Sequence, residues 1–104
     1  MKYKVIGRDG NEITSKNALH PGEIIQMEIE ARGFRKTDFA EKMNMKLANL
    51  SELIHGKRNV SPAIALKLEH NLNIEADFWL RVQAGYDLSK LRNENQINSL
   101  ETAI

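Results

Sequence analysis

A chain of 104 residues, 41% of them hydrophobic, is long enough for one soluble domain with a modest core. It contains no cysteine, which excludes a disulfide framework and thiolate metal sites and fits a reducing cytosol. No apolar run approaches the length that spans a bilayer, and the first residues lack the hydrophobic stretch of a signal peptide. We therefore expect a cytoplasmic protein that does not contact a membrane.

Residues 1–19 precede the first predicted helix. Tyr3 and Val5 alternate with polar residues, and a Gly/Asp/Asn turn separates them from Ile13, which predicts a short β-hairpin or an extended arm. Because an isolated hairpin is only marginally stable, the arm packs on the domain, pairs with another chain or stays mobile. The sequence leaves these three alternatives open.

Helix start and stop signals recur through residues 20–91, the predicted domain. Pro21 at a first helical position begins one helix, which ends at Gly33. Ser61 is placed to cap a later helix that Asn73 ends. Between these two helices lies a shorter pair.

The short pair occupies residues 37–61 and has the spacing of a helix-turn-helix, a unit that recognises DNA. Its first helix is predicted over residues 36–43 and its second over residues 46–55. Asn44 tolerates the left-handed conformation that a tight turn needs, and Gly56 closes the second helix. The residues expected to face the core are Phe39, Ala40, Met43, Leu50, Leu53 and Ile54.

Positive charge is concentrated over this unit. Residues 32–59 contain seven basic and three acidic side chains, a local charge of +4, whereas the whole chain carries only +1. Such side chains are often merely solvated, but their coincidence with the helix-turn-helix favours a surface that faces phosphates.

A fifth helix is predicted over residues 76–91 and carries more apolar surface than a single stripe facing the core requires. Either this surface makes a wide core contact, or part of it meets a second copy of the chain, which we favour. The residues assigned to that dimer interface are Phe78, Trp79, Val82, Tyr86 and Leu88. From Arg92 the sequence is polar, and residues 92–104 are predicted to form a frayed C-terminal tail.

Enzymatic function is not indicated. His20, His55 and His70 lack metal-ligand spacing, and no phosphate loop or nucleophile motif is present. Glu28 and Glu30 point to different helix faces and make a poor catalytic pair. We therefore expect no metal, no cofactor and no catalytic residue.

Three stretches together resemble one family: HPGE at residues 20–23, HGKRNVSP at 55–62 and DFWLRVQAGYDL at 77–88. They are similar to the HigA/VapI-type addiction-module antitoxins, which belong to the phage-repressor-like (XRE) helix-turn-helix proteins. The resemblance covers residues 19–91. It implies an all-α, five-helix lambda-repressor-like domain that forms a homodimer. It also implies an autorepressor that binds operator DNA in its own promoter and a cognate HigB/RelE-like toxin, an mRNA-cleaving ribonuclease that the antitoxin neutralises by direct binding. When bound to the operator, such a protein is nucleoid-associated.

By the same resemblance, one side of the second short helix enters the major groove. The residues assigned to it are Lys46, Leu47, Ala48, Asn49, Ser51 and Glu52, with Lys36, Lys57 and Arg58 contacting phosphates from the flanks. The chain departs from the family in having no arginine on this helix. Ala48 or Leu47 is suited to a thymine methyl, Asn49 to adenine and Glu52 to cytosine. We therefore expect few base contacts, with affinity supplied by the basic flanks and by dimerisation.

Two alternatives to an antitoxin stay open. One is a stand-alone phage-type repressor without a toxin partner, and the other is a degenerate fold kept only for protein contact. For the toxin-binding surface the candidates are the N-terminal arm, the first helix around residues 26–32 and the tail after Leu91. The arm is preferred because an extended segment can add a strand to a partner sheet.

Overall fold

The computed structural model describes the backbone of residues 18–102 and the side chains of residues 18–94. This part of the chain is all-α and contains no strand, and the predicted hairpin or arm lies outside it. Five helices follow one another: α1 (Pro21–Arg32), α2 (Lys36–Lys42), α3 (Leu47–Ile54), α4 (Pro62–Leu72) and α5 (Ala76–Thr102). The predicted five-helix fold is confirmed. The predicted start of α2 is the observed one, whereas the predicted end of α2 and both predicted ends of α3 are each off by one residue.

The start of α1 carries a reciprocal cap. His20 Nδ1 accepts a hydrogen bond from the backbone N–H of Gly22 at 2.8 Å, and the Glu23 carboxylate accepts one from the His20 N–H at 3.3 Å. Pro21 occupies the first helical position, as predicted. The histidine cap was not predicted, because serine, threonine, aspartate and asparagine are the usual N-cap residues.

Two asparagines predicted to end helices lie where those helices end. Asn44 (φ 54°) turns the chain between α2 and α3, and Asn73 (φ 60°) ends α4. Ser61 caps α4 by accepting a hydrogen bond from the Ile64 N–H at 3.2 Å, also as predicted. Arg32, in the last turn of α1, donates to the Leu72 carbonyl at 2.8 Å and so satisfies a C-terminal carbonyl of α4.

Helix α5 begins at Ala76 as predicted but continues to Thr102, beyond the predicted end at residue 91. The residues after Leu91 contain neither glycine nor proline, so nothing in them interrupts the helix. Within the described residues, Leu19–Ala84 form one compact unit, and α5 from Gly85 onward belongs to a second.

The core of the first unit is formed by side chains from all five helices and from the loop before α4. Phe39, Ala40 and Met43 of α2 and Leu50, Leu53 and Ile54 of α3 are buried, which confirms both predicted apolar faces. Trp79 at the start of α5 is fully buried and donates its indole N–H to the Ile74 carbonyl at 3.1 Å. Packing in this core fixes the position and orientation of α2 and α3.

Candidate nucleic-acid interface

Helix α3 has a buried side and an outward side. Its buried residues fix the helix to the core, whereas Leu47, Ala48 and Glu52 are exposed and Asn49 and Ser51 are half-buried. The turn before α3 is closed by the Met45 N–H, which donates to the Ala40 carbonyl at 3.0 Å. The outward side of α3 carries the side chains predicted to enter the major groove, and all of them are exposed or half-buried.

Helices α2 and α3 lack the side-chain caps that α1 and α4 possess. The N-cap residue of α2 is Arg35 and that of α3 is Lys46, and neither side chain bonds to the first-turn N–H groups. A cation at a helix start is electrostatically unfavourable, because the helix dipole is positive there. Positive side chains beside uncapped backbone N–H groups form a surface that suits an anion.

Exposed cations lie on both sides of α3. Lys36 at the start of α2, Lys46 before α3 and Lys57 after α3 are all exposed. Their ammonium groups make no ion pair with any described residue. Their exposure leaves them accessible for the predicted phosphate contacts.

Arg58 is placed differently from these lysines. Its Nη2 donates to Glu52 Oε1 at 2.8 Å and to Asn49 Oδ1 at 3.1 Å, and its Nε donates to the same Glu52 oxygen at 3.1 Å. Residues 49, 52 and 58 form the Arg58 cluster. The absence of an arginine from α3 was evident in the sequence, but the return of Arg58 to the helix from the following loop was not predicted.

The loop that carries Arg58 is fixed to α5 by Gln83. The buried side chain of Gln83 accepts a hydrogen bond from the Val60 N–H at 2.7 Å and donates to Asn59 Oδ1 at 3.2 Å. Gln83 lies within the DFWLRVQAGYDL stretch, which was assigned no polar role. A glutamine among the apolar positions of α5 could have indicated a buried hydrogen bond, because buried polar groups are hydrogen-bonded.

The five residues predicted for a dimer interface differ in exposure. Trp79 is fully buried in the core of its own chain and cannot contact a partner, so it is removed from the proposed interface. Phe78 and Val82 are half-buried in the first unit. In the second unit Tyr86 is half-buried, and 47% of the surface of Leu88 is exposed.

The described residues contain no group of three or more His, Cys, Asp or Glu side chains that is arranged to hold a metal ion. His20 serves as a cap, and His55 Nδ1 donates to the Ser51 carbonyl at 2.8 Å. No helix in the described part of the chain combines the length and apolar content that crossing a membrane requires.

Comparison with known proteins identifies the family. The helix-turn-helix family model matches residues 25–79. Virulence-associated protein A of Dichelobacter nodosus is 45% identical over 78 residues, covering 73% of this chain and 76% of that protein. Antitoxin HigA-1 of Vibrio cholerae is 32% identical over 84 residues, covering 80% and 79%. The chain belongs to the helix-turn-helix family. It is an antitoxin-like member of the DNA-binding, XRE type, which confirms the resemblance noted in the sequence.

The fold of this helix-turn-helix chain also matches solved structures. Pseudomonas aeruginosa antitoxin HigA with the higBA promoter superposes with a TM-score of 0.76 at 22% identity, covering 85% of this chain and 96% of that one. At this identity the match establishes the fold alone. The family consists of DNA-binding regulators and antitoxins.

Proposed function

We propose that the chain is the antitoxin of a type II toxin–antitoxin module and that it represses its own operon by binding operator DNA as a homodimer. The observation that carries this proposal is the uncovered outward side of α3, flanked by Lys36, Lys46 and Lys57. A helix fixed by its buried side, with cations at both ends, suits insertion into a major groove.

The similarity to HigA-1 of Vibrio cholerae supports the antitoxin part of the proposal. The partner is a HigB/RelE-like toxin that cleaves mRNA, and direct binding neutralises it. One small protein then binds both the toxin and the operator. Because the toxin covers part of the antitoxin surface, we expect it to change the affinity of the dimer for the operator.

Binding to DNA is tested by gel shift with the sequence upstream of the chain's own gene and with an unrelated duplex of equal length. Tighter binding to the upstream sequence supports autorepression. Equal or absent binding to both duplexes contradicts it.

The toxin partner is tested by co-purification with the product of the adjacent small gene and by growth rescue when both are expressed. Failure of both assays with a chain that still binds its operator favours a stand-alone repressor. Deleting residues 1–14 tests the preferred toxin-binding surface: full growth rescue by the shortened chain eliminates the arm.

A further inference from the structure

The Arg58 cluster lies over the part of α3 that enters the groove in the proposed complex. Asn49 and Glu52 are one helical turn apart on the outward side, and Glu52 lies in the C-terminal half of the helix. The chain reverses after α3 because the Lys57 N–H donates to the Glu52 carbonyl at 2.8 Å. The Arg58 guanidinium is thereby carried back over α3, whereas a side chain that continued outward would reach only the flank.

The bonds within the cluster leave donors available for a further acceptor. Two bonds from Nη2 and one from Nε account for three of the five N–H hydrogens of the guanidinium. The two Nη1 hydrogens have no bonded partner among the described residues. In the major groove, guanine presents O6 and N7 as acceptors, and arginine is their commonest partner.

Glu52 determines which acceptor suits Arg58. A carboxylate 2.8 Å from the guanidinium offsets its positive charge and repels a phosphate at the same place. It repels the uncharged edge of a base much less than a charged phosphate, and its hydrogen bonds hold the guanidinium in one orientation. An arginine flanked in this way is therefore better suited to a guanine edge than to the DNA backbone, unlike the unpaired Lys57.

The loop that carries Arg58 is anchored at its other end. The bond from the Val60 N–H to Gln83 Oε1 is buried, and Gln83 also holds Asn59, the neighbour of Arg58. A side chain presented from a fixed backbone loses less conformational entropy when it binds. Anchoring therefore favours a defined contact with one base pair.

We propose that Arg58 is a specificity-determining residue that recognises a guanine in the operator, and that Glu52 positions it. This inference rests on the proposed DNA binding and deepens it, because it replaces the assignment of Arg58 to phosphate and of Glu52 to cytosine. The missing arginine of α3 is supplied from the loop that follows.

The experiment compares the wild type with R58A, E52A, the double variant and K57A. Binding-site selection gives the preferred sequence of each, and affinities are measured on that operator and on unrelated DNA. The ion pair is exposed, with 42% of the Arg58 side-chain surface and 48% of that of Glu52 accessible, so all variants are expected to fold. Circular dichroism during heating checks this.

We expect R58A to lose about tenfold to a hundredfold in affinity for the preferred operator, with a much smaller loss on unrelated DNA. Both R58A and E52A are expected to lose the preference for guanine at the same operator position. The double variant should bind the operator no more weakly than R58A, because both substitutions remove the same contact. K57A weakens binding to all sequences alike and keeps the preference.

Three results overturn the assignment. The first is an R58A variant that binds all DNA sequences more weakly by the same factor and keeps the preference for guanine. The second is an E52A variant that changes a different position from R58A with additive losses, which would make Glu52 a base contact itself. The third is an E52A variant that binds all DNA more tightly with its preference intact. A wild-type chain that prefers no sequence refutes the proposed function and this assignment together, whereas the three results above refute the assignment alone.

Discussion

Gly22 determines how closely α1 approaches the C-terminal end of α3. A Cβ atom added at Gly22 would lie 1.8 Å from the Leu53 carbonyl oxygen and 2.8 Å from the carbonyl carbon. Both contacts are to backbone, which cannot rotate away as a side chain does. The glycine of the HPGE stretch is therefore needed because two helix backbones meet there, and its small size allows α3 to lie this close to α1.

The variant Gly22→Ala is expected to lower the free energy of unfolding by about 3 kcal/mol, because α1 or α3 must shift to make room for the methyl group. Urea unfolding measures the loss. Gly85→Ala is the matched control: Gly85 lies inside α5, and an added Cβ there has no atom of the described residues within 4 Å. That change is expected to raise stability by about 0.5–1 kcal/mol. An equal effect of the two substitutions would contradict the close approach at Gly22.

Residues whose role depends on the local backbone were predictable. Asn44 and Asn73 were both predicted to end helices, Asn44 because asparagine tolerates positive φ, and both residues have it. The roles of Gly22 and Gln83 were missed, because each depends on a group distant in the sequence, the Leu53 carbonyl for one and the Val60 N–H for the other. Helical periodicity identifies the face that is buried but not the atoms that meet there.

At the scale of elements, the loop between α3 and α4 depends on α5. The Val60 N–H is buried and has Gln83 Oε1 as its acceptor, so this bond replaces water for a backbone group outside any helix. The bond from Gln83 to Asn59 is only part-buried. The two bonds should therefore differ in their contribution to stability.

We expect Gln83→Met to cost about 1–3 kcal/mol of stability, because a side chain of similar length leaves the buried Val60 N–H without an acceptor. Thermal and urea unfolding measure this cost. Asn59→Ala removes the acceptor of the part-buried bond from Gln83, at an exposed position, and should cost less than about 1 kcal/mol. If Asn59→Ala proved the more damaging change, the buried bond would not be what fixes the loop.

The length of α5 shows where element prediction fails. Its start at Ala76 was predicted, and the Ala76 N–H donates to the Glu69 carboxylate at 2.7 Å. Its end was placed at residue 91 because the apolar pattern stops there. A helix propagates through polar residues that have adequate helix propensity, so the end of a pattern does not mark the end of a helix. The last turns of α5 therefore could not be inferred from hydrophobicity.

At the scale of the whole molecule, the distribution of charge matters more than its sum. Residues 32–59 carry a local charge of +4 in a chain of net charge +1. Each lysine that contacts a phosphate displaces condensed counterions, so affinity falls with salt in proportion to the number of such contacts. The salt dependence of binding therefore reports which lysines contact the backbone.

Lys36→Ala and Lys57→Ala are each expected to weaken binding to all DNA sequences and to reduce the slope of log affinity against log salt by about 1. Fluorescence anisotropy at several salt concentrations measures this slope. Lys90→Ala on α5 is the control, since Lys90 is exposed but lies outside residues 32–59. A control variant that lowers the slope as much as the others would mean that the charge of the whole chain, and not these contacts, drives binding.

Dimerisation is tested at an exposed leucine of α5. Leu88 is 47% exposed, and burial of such a side chain against a second copy would stabilise the dimer, whereas a glutamate there would place two charges in an apolar contact. Leu88→Glu is therefore expected to give a monomer by sedimentation equilibrium and to weaken operator binding at least about tenfold, because two linked half-sites are no longer engaged together. Leu66→Glu on α4 is the matched control, since Leu66 is 60% exposed and lies outside the proposed interface.

Two outcomes would contradict this assignment. A Leu88→Glu chain that keeps the mass of a dimer would place the contact between copies elsewhere. Loss of the dimer in both variants would indicate a general effect of the added charge.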